Sequence, residues 1–221
     1  MVDVILTSYA RYDLLEQALD SFYEYNDYPI SNFFIHEDYG LENMNEDQKM
    51  AMQQLQEKYP DIQWMCPEQR QGQINALDAL WRNVSTPYCL QMEDDWLVYR
   101  KGFISDSIEV LEQKPKIVMC YLREHNDVNG HPVEITGNGV YDLMSRNYKG
   151  MWHGYSFNFS VKRLEDYKVI GSFAKHTRFI PRRPWESEIA IGRVYYRMGY
   201  SAAILRQGYV RHIGDNRGIR S

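Results

Sequence analysis

Cysteine is scarce in this chain: Cys66, Cys89 and Cys120 are the three in 221 residues, at spacings that match no metal-ligand pattern. An odd count gives no disulfide framework, and each lies in or beside an expected strand, so all three read as reduced core residues. No apolar run approaches the roughly eighteen residues of a membrane span, and no basic-plus-apolar leader opens the chain, so a cytoplasmic protein is expected. The glycosylation patterns Asn83-Val84-Ser85 and Asn158-Phe159-Ser160 would then be idle. Net positive charge is lacking as well. With 25 basic against 30 acidic residues, the chain has no general basic stripe to replace counterions on a nucleic acid, and no nucleic-acid partner is expected. Internal repeats and low-complexity segments are also absent.

What the chain has is an alternation. At 44% hydrophobic composition it can bury one substantial core, and a single domain over residues 1–221 is expected. Residues 2–6 form an apolar run, followed by Leu14, Leu15, Ala18, Leu19 and Phe22 at helical spacing. Residues 33–36 and 62–65 read as further strands, with a polar helix at 46–59 between them. A helix over 72–84 leads to a fourth strand at Tyr88, and a helix after Gly102 leads to a strand over 117–121. A late helix over 185–198 precedes a strand over 200–205, while residues 123–156 read as binding loops. Such alternation implies a mostly parallel α/β sheet covered on both faces, with ligands outside the carboxyl ends of its strands.

Thr7-Ser8-Tyr9, Glu37-Asp38 and Glu93-Asp94-Asp95 each follow one of those strand ends. Three adjacent carboxylates repel one another, and an all-oxygen ligand set favours hard Mg²⁺ or Mn²⁺. A cation held by one or two carboxylates keeps open positions for a diphosphate, which points to a nucleotide ligand. A solvated turn is the plain alternative for any single acidic triplet; the convergence of three distant segments on one crevice argues against it here. Basic residues gather late, at Arg178, Arg182 and Arg183 and then at Arg206, Arg211, His212, Arg217 and Arg220, where they can face a small polyanion.

Taken together, Val4-Ile5-Leu6-Thr7-Ser8-Tyr9, His36-Glu37-Asp38, Arg70 with Asn75-Ala76-Leu77, and Glu93-Asp94-Asp95 resemble the ordered landmarks of the GT-A glycosyltransferases. The likeness is strongest to the inverting family 2, spore-coat type. It covers residues 2–100 well and the remainder through isolated landmarks. It implies a GT-A, Rossmann-like sheet flanked by helices, with a nucleotide-sugar half at 1–100 and a less regular acceptor-binding and catalytic half at 101–221. It further implies transfer with inversion from a UDP- or dTDP-sugar to a glycan hydroxyl, with Mn²⁺ or Mg²⁺.

By the same resemblance, Thr7, Tyr9, Arg70 and Asn75 belong to the nucleotide site, with either Glu37 or Asp38 accepting from the base. Asp95 is the metal ligand, Asp94 receives donor hydroxyls, and Glu93 acts through water or anchors the loop. His212 matches a late histidine that completes the metal shell, with Arg211 beside the diphosphate; His153 competes for that role. Within Trp185-Glu186-Ser187-Glu188, counting back from Gly199-Tyr200 selects Glu188 as general base, and counting from Arg193 selects Glu186. Trp152 and Trp185 can stack on a sugar or pack in the core. Two other readings stand beside this one. A sugar nucleotidyltransferase is disfavoured because no glycine-rich loop follows the first strand. A degenerate nucleotide-sugar-binding module is motivated by glutamates at 37, 93 and 188, where the family has aspartates.

Overall fold

The computed structural model describes residues 1–177 and 184–214. The chain opens with β1 (Val2–Ser8), α1 (Tyr12–Tyr25), β2 (Ile30–Glu37), α2 (Glu46–Lys58), β3 (Ile62–Met65), α3 (Gln73–Trp81) and β4 (Tyr88–Glu93). It continues with β5 (Trp96–Val98), α4 (Phe103–Gln113), β6 (Ile117–Tyr121), β7 (Val133–Glu134), β8 (Tyr141–Met144) and β9 (Ser160–Arg163). Three helices, α5 (Leu164–Ile170), α6 (Ala174–Thr177) and α7 (Pro184–Arg197), precede β10 (Ser201–Leu205) and β11 (Val210–His212).

Among the described residues, nine strands form one sheet in the order β3-β2-β1-β4-β9-β6-β10-β8-β7, so it draws on both halves of the chain. The first four of that order are parallel, as expected for strands joined through helices. Alternation along β1 separates two cores. Val4 and Leu6 pack with Leu15, Leu19 and Phe22 of α1, while Ile5 packs with Leu77, Leu80 and Trp81 of α3. A capping box starts α2: Asn45 Oδ1 accepts from the Gln48 N–H at 2.8 Å, and Gln48 Oε1 accepts from the Asn45 N–H at 3.0 Å.

The second half departs from the expected pattern. β9 lies antiparallel between β4 and β6, in the centre of the sheet, and β8 is antiparallel to β10. β7 and β8 fall in the segment read as binding loops. These strands escape a periodicity reading because they are short and carry polar residues; β9 reads Ser-Val-Lys-Arg, with Val161 its one apolar side chain. A separate ribbon pairs β5 with β11 antiparallel, setting His212 opposite Trp96. Cys89 and Cys120 are buried and Cys66 half-buried, all three as free thiols. Among the described residues, no helix is long and apolar enough to cross a membrane.

Candidate active site

Three loops meet where β1, β2 and β4 end. β1 is the middle strand of the three, with half-buried Thr7 opposite His36 on one side and Glu93 on the other, so residues 8–11, 37–39 and 93–95 become neighbours. Glu37 is fully buried, and its carboxylate accepts from Ser8 Oγ at 2.8 Å and from the Ala10 and Tyr39 N–H groups, each at 3.0 Å. Ala10 has a φ of 51°, a left-handed conformation costly for an L-residue, and the bond from its N–H to Glu37 holds it there.

Asp38, also buried, accepts from the Gln71 and Gly72 N–H groups at 2.9 Å through Oδ1. Its Oδ2 is 3.9 Å from Arg70 Nε, and the Arg70 guanidinium lies 5.0 Å from the centre of the Tyr9 ring. Tyr39 meets Tyr9 edge-on at 5.1 Å. Tyr9, Tyr39, Arg70 and Asp38 thus offer flat faces, a stacking cation and an acceptor, the equipment a nucleobase needs. Asn75 is exposed and donates to the Gln71 carbonyl at 2.8 Å, in the loop just ahead of its own helix.

Beside this cluster, Arg11 bridges the last two acids of the triplet. It pairs with Asp94 through Nε at 3.2 Å and again through Nη2, and with Asp95 through Nη1 at 2.8 Å. Arg11 was not anticipated from the sequence; the available signal was a lone arginine two residues beyond Tyr9. Asp94 is buried and also accepts from the Tyr9 N–H at 3.2 Å. Burial raises its pKa to about 6, even with Arg11 pulling the other way. Burial likewise lifts half-buried Glu93 to about 8, reinforced by the Asp95 and Glu188 charges. Glu93 accepts from Trp96 Nε1 at 3.3 Å and Gln73 Nε2 at 3.4 Å.

Asp95 behaves differently. Burial alone would raise its pKa, but His212 and Arg11 outweigh that and hold it below the ordinary carboxylate value. The β5–β11 ribbon brings His212 Nε2 to 3.3 Å from Asp95 Oδ2, and the Ile213 N–H donates to the Asp95 carbonyl at 2.8 Å. Two cis ligands on one ion, each at ~2.1 Å, stand about 3 Å apart, so this oxygen–nitrogen pair fits a single Mn²⁺. The Arg11 guanidinium shows that the same oxygen already draws a cation. Among the described residues, no group of three or more His, Cys, Asp and Glu side chains could hold a metal, so the remaining positions would fall to diphosphate and water.

Past Trp96 and His212 opens a cavity of about 550 Å³ lined by Arg123, Asp127, Asn158 and Arg211. It shares Arg123, Asn129 and Asn158 with a second cavity of about 220 Å³ lined by Tyr148, Trp152, Ser156 and Glu188. Arg123, a second residue the sequence did not flag, is ion-paired to Asp127 at 2.8 Å and lies 5.0 Å over the Trp96 ring. Glu188 Oε1 accepts from Ser156 Oγ and from the Phe157 N–H, both at 2.8 Å. Burial raises its pKa.

Glu186 is not among the described residues lining either cavity, and its Oε2 is buried without a hydrogen-bond partner among the described residues. Trp152 and Trp185 tilt together at 6.2 Å, with Trp152 in the cavity wall and Trp185 exposed. His153 Nδ1 is 2.6 Å from the Arg146 carbonyl and its ring stacks on Tyr196, so its contacts lie away from the carboxylates. Arg206 is paired bidentately with Asp142. Arg178, Arg182, Arg183, Arg217 and Arg220 lie outside the described residues.

Solved structures repeat this architecture. A mannosyltransferase from Pyrobaculum calidifontis in complex with GDP-Man and Mn²⁺ superposes with a TM-score of 0.64 at 15% identity, over 98% of this chain and 58% of that one. GalNAc-T7 with UDP, GalNAc and Mn²⁺ gives 0.69 at 9% identity, over 96% and 43%. The chain has the GT-A fold. TarS from S. aureus, residues 1–349, extends the GT-A likeness at 0.61 and 13% identity, over 95% and 60%. The chain therefore spans 43–60% of the length of these GT-A structures. No protein-family model matches the sequence, and no curated protein matches it.

Proposed function

We propose that the protein is a metal-dependent glycosyltransferase that moves a sugar from a UDP- or dTDP-sugar to a glycan hydroxyl with inversion. The observation that carries this reading is the continuity of two sites: the Asp95–His212 pair at the strand ends, and the cavity holding Glu188, joined through Arg123 and Asn158. Solved GT-A structures hold GDP-Man with Mn²⁺, UDP with GalNAc and Mn²⁺, and UDP-GlcNAc, which supports a nucleotide-sugar donor.

Under this reading Tyr9, with Arg70 stacked 5.0 Å from its ring, offers the base a flat face and a cation beside it, and Asp38 accepts from the imide N–H of the base. Glu37 organises the loop instead, because its oxygens already serve Ser8, Ala10 and Tyr39. Asp94 and Arg11 orient the donor ribose and sugar, while Asp95 and His212 hold Mn²⁺ or Mg²⁺. When bound, the ion supplies Lewis-acid stabilisation of the departing diphosphate. Arg211 adds positive charge on the same side of the cleft.

Glu188 accepts the proton of the acceptor hydroxyl as its oxygen bonds to the anomeric carbon. The anomeric carbon–oxygen bond to diphosphate breaks on the opposite face, and the leaving group keeps the electron pair. Trp152 and Tyr148 give the acceptor ring an apolar face. The test is to incubate the protein with Mn²⁺, UDP- or dTDP-sugars and a glycan panel, and to read the product's anomeric configuration by NMR. An inverted product supports the assignment; a retained configuration removes Glu188 from the role of base. Release of pyrophosphate from nucleoside triphosphate and sugar phosphate would replace the reading with a nucleotidyltransferase.

A further inference from the structure

Lys162 is buried in β9, between β4 and β6, where a methionine would fill similar volume without a charge to desolvate. Its ammonium donates to Ser160 Oγ at 2.6 Å and stands 5.8 Å from the centre of the Tyr155 ring. Three N–H donors with one hydrogen-bond acceptor among the described residues is a poor arrangement for a purely structural lysine. The charge must therefore be repaid by its surroundings.

Those surroundings are the acceptor side of the site. Tyr155 lines the smaller cavity and is packed against α7, since a Cβ at Gly192 would lie 3.3 Å from the Tyr155 Cβ. Glu188 is on the same helix, one turn earlier. Residues 156–160 connect the two charges: Ser156 and Phe157 hold Glu188 Oε1, and Ser160, which receives Lys162, donates onward to the Asn158 carbonyl at 2.7 Å. The titratable and charged groups acting on this pair are Cys89 and Glu93 of β4, Tyr121 of β6, Arg123 just beyond β6, and Tyr155. Burial draws the Lys162 pKa down to about 7, against Cys89, Glu93 and Glu188, which favour its charged form. Burial raises the Glu188 pKa, against the Phe157 and Ser156 hydrogen bonds and the Lys162 and Arg123 charges.

We propose that Lys162 is a positioning residue for the base: its buried ammonium, held by Ser160 under Tyr155, keeps Glu188 in the carboxylate form that receives the acceptor proton. This rests on the assignment of Glu188 as base. The lysine takes up its charge as pH falls through about 7, so its influence on Glu188 belongs to acidic pH and fades above that.

The test titrates Glu188 directly. In protein labelled with ¹³Cδ-glutamate, the resonance missing from Glu188→Gln belongs to Glu188, and its midpoint is followed in the parent, Lys162→Met and Lys162→Arg. The Met variant should move that midpoint up by ~1 pH unit, the Arg variant should leave it near the parent value, and the melting temperature of the Met variant should not fall. In transfer assays, Lys162→Met should lose rate at acidic pH, by no more than the ~10-fold that a one-unit midpoint shift allows, and recover as pH rises, with UDP affinity unchanged. An unmoved midpoint in Lys162→Met overturns the proposal, as does an equal loss at all pH values with a lowered melting temperature. If Lys162→Met fails to fold, Lys162→Gln takes its place in the same titration. Full transfer by Glu188→Gln would instead overturn the base assignment, an outcome distinct from an unmoved midpoint.

Discussion

Asp95 and His212 are held to one another by backbone pairing. The ribbon of β5 and β11 sets His212 opposite Trp96, the residue after Asp95, and the Ile213 N–H closes on the Asp95 carbonyl at 2.8 Å. The side chains inherit this register, leaving Oδ2 and Nε2 3.3 Å apart. Under the proposed reading, the strand pair fixes the backbone of both ligands in advance, and Arg11, which shares Asp95 Oδ2 at 2.8 Å, is the group that an ion would displace.

Gly214 lies two residues past that ribbon and leaves no room beside the carboxylate: a Cβ there would sit 2.5 Å from Asp95 Oδ2. Gly214→Ala should displace Asp95 and weaken Mn²⁺-dependent UDP binding by ~10-fold or more, while costing roughly 1–3 kcal/mol of stability. Calorimetry with Mn²⁺ and a denaturant melt check both. Unchanged binding would mean that Asp95 is not where the ion is held.

Glu188 and Glu186 are two residues apart on one helix and so point to different sides. Glu188→Gln should cut transfer by ~10²–10⁴-fold with donor affinity kept, and Glu186→Gln should transfer within about threefold of the parent. Initial rates with saturating donor decide between them; a dead Glu186→Gln would reverse the assignment.

Glu37 serves three donors from a buried position. Glu37→Ala should therefore destabilise the fold by about 2–5 kcal/mol, well beyond the effect of Tyr9→Ala, which should weaken UDP binding while leaving stability within ~1 kcal/mol. Chemical denaturation of both variants, with UDP titrations, separates the loop organiser from the base platform. Equal stability of the two would contradict it.

The first half of the fold was legible because each strand is an apolar run and each helix carries an apolar stripe, so the acids at 37–38 and 93–95 could be assigned to strand ends. The rest depends on partners distant in sequence. Nothing in Ser160-Val161-Lys162-Arg163 announces a central strand, and the pairing of β5 with β11, which joins His212 to Asp95, has no local signature. Arg11 and Arg123 look like ordinary surface cations until the fold sets one on Asp94 and Asp95 and the other over Trp96. Glu186 and Glu188 differ in helix phase, and only the fold shows that it is Glu188 that meets Ser156 and Phe157.

Burial raises the pKa of Glu93 to about 8 and of Asp94 to about 6, so from about pH 4 to pH 8 these two carboxyls bind more protons in the native protein than in the unfolded chain. Their contribution to stability therefore declines as pH rises through that window. The lowered pKa of Asp95 acts oppositely, giving stability that is lost only on acidification below the ordinary aspartate value. A bound cation favours the ionised carboxylates, so the Mn²⁺-induced rise in melting temperature should be larger at pH 8 than at pH 6. Melts with Mn²⁺ and with chelator at both pH values check this, and a rise that shrinks toward pH 8 would contradict it.

The central claim is a metal-assisted nucleotide site at Asp95 and His212. Calorimetric titration of UDP into the parent and Asp95→Ala, each with Mn²⁺ and with chelator, tests it most directly. The account predicts binding by the parent with Mn²⁺, at least tenfold weaker with chelator, and no response to Mn²⁺ in Asp95→Ala. Equal binding by the parent and a folded Asp95→Ala, indifferent to Mn²⁺, would contradict it.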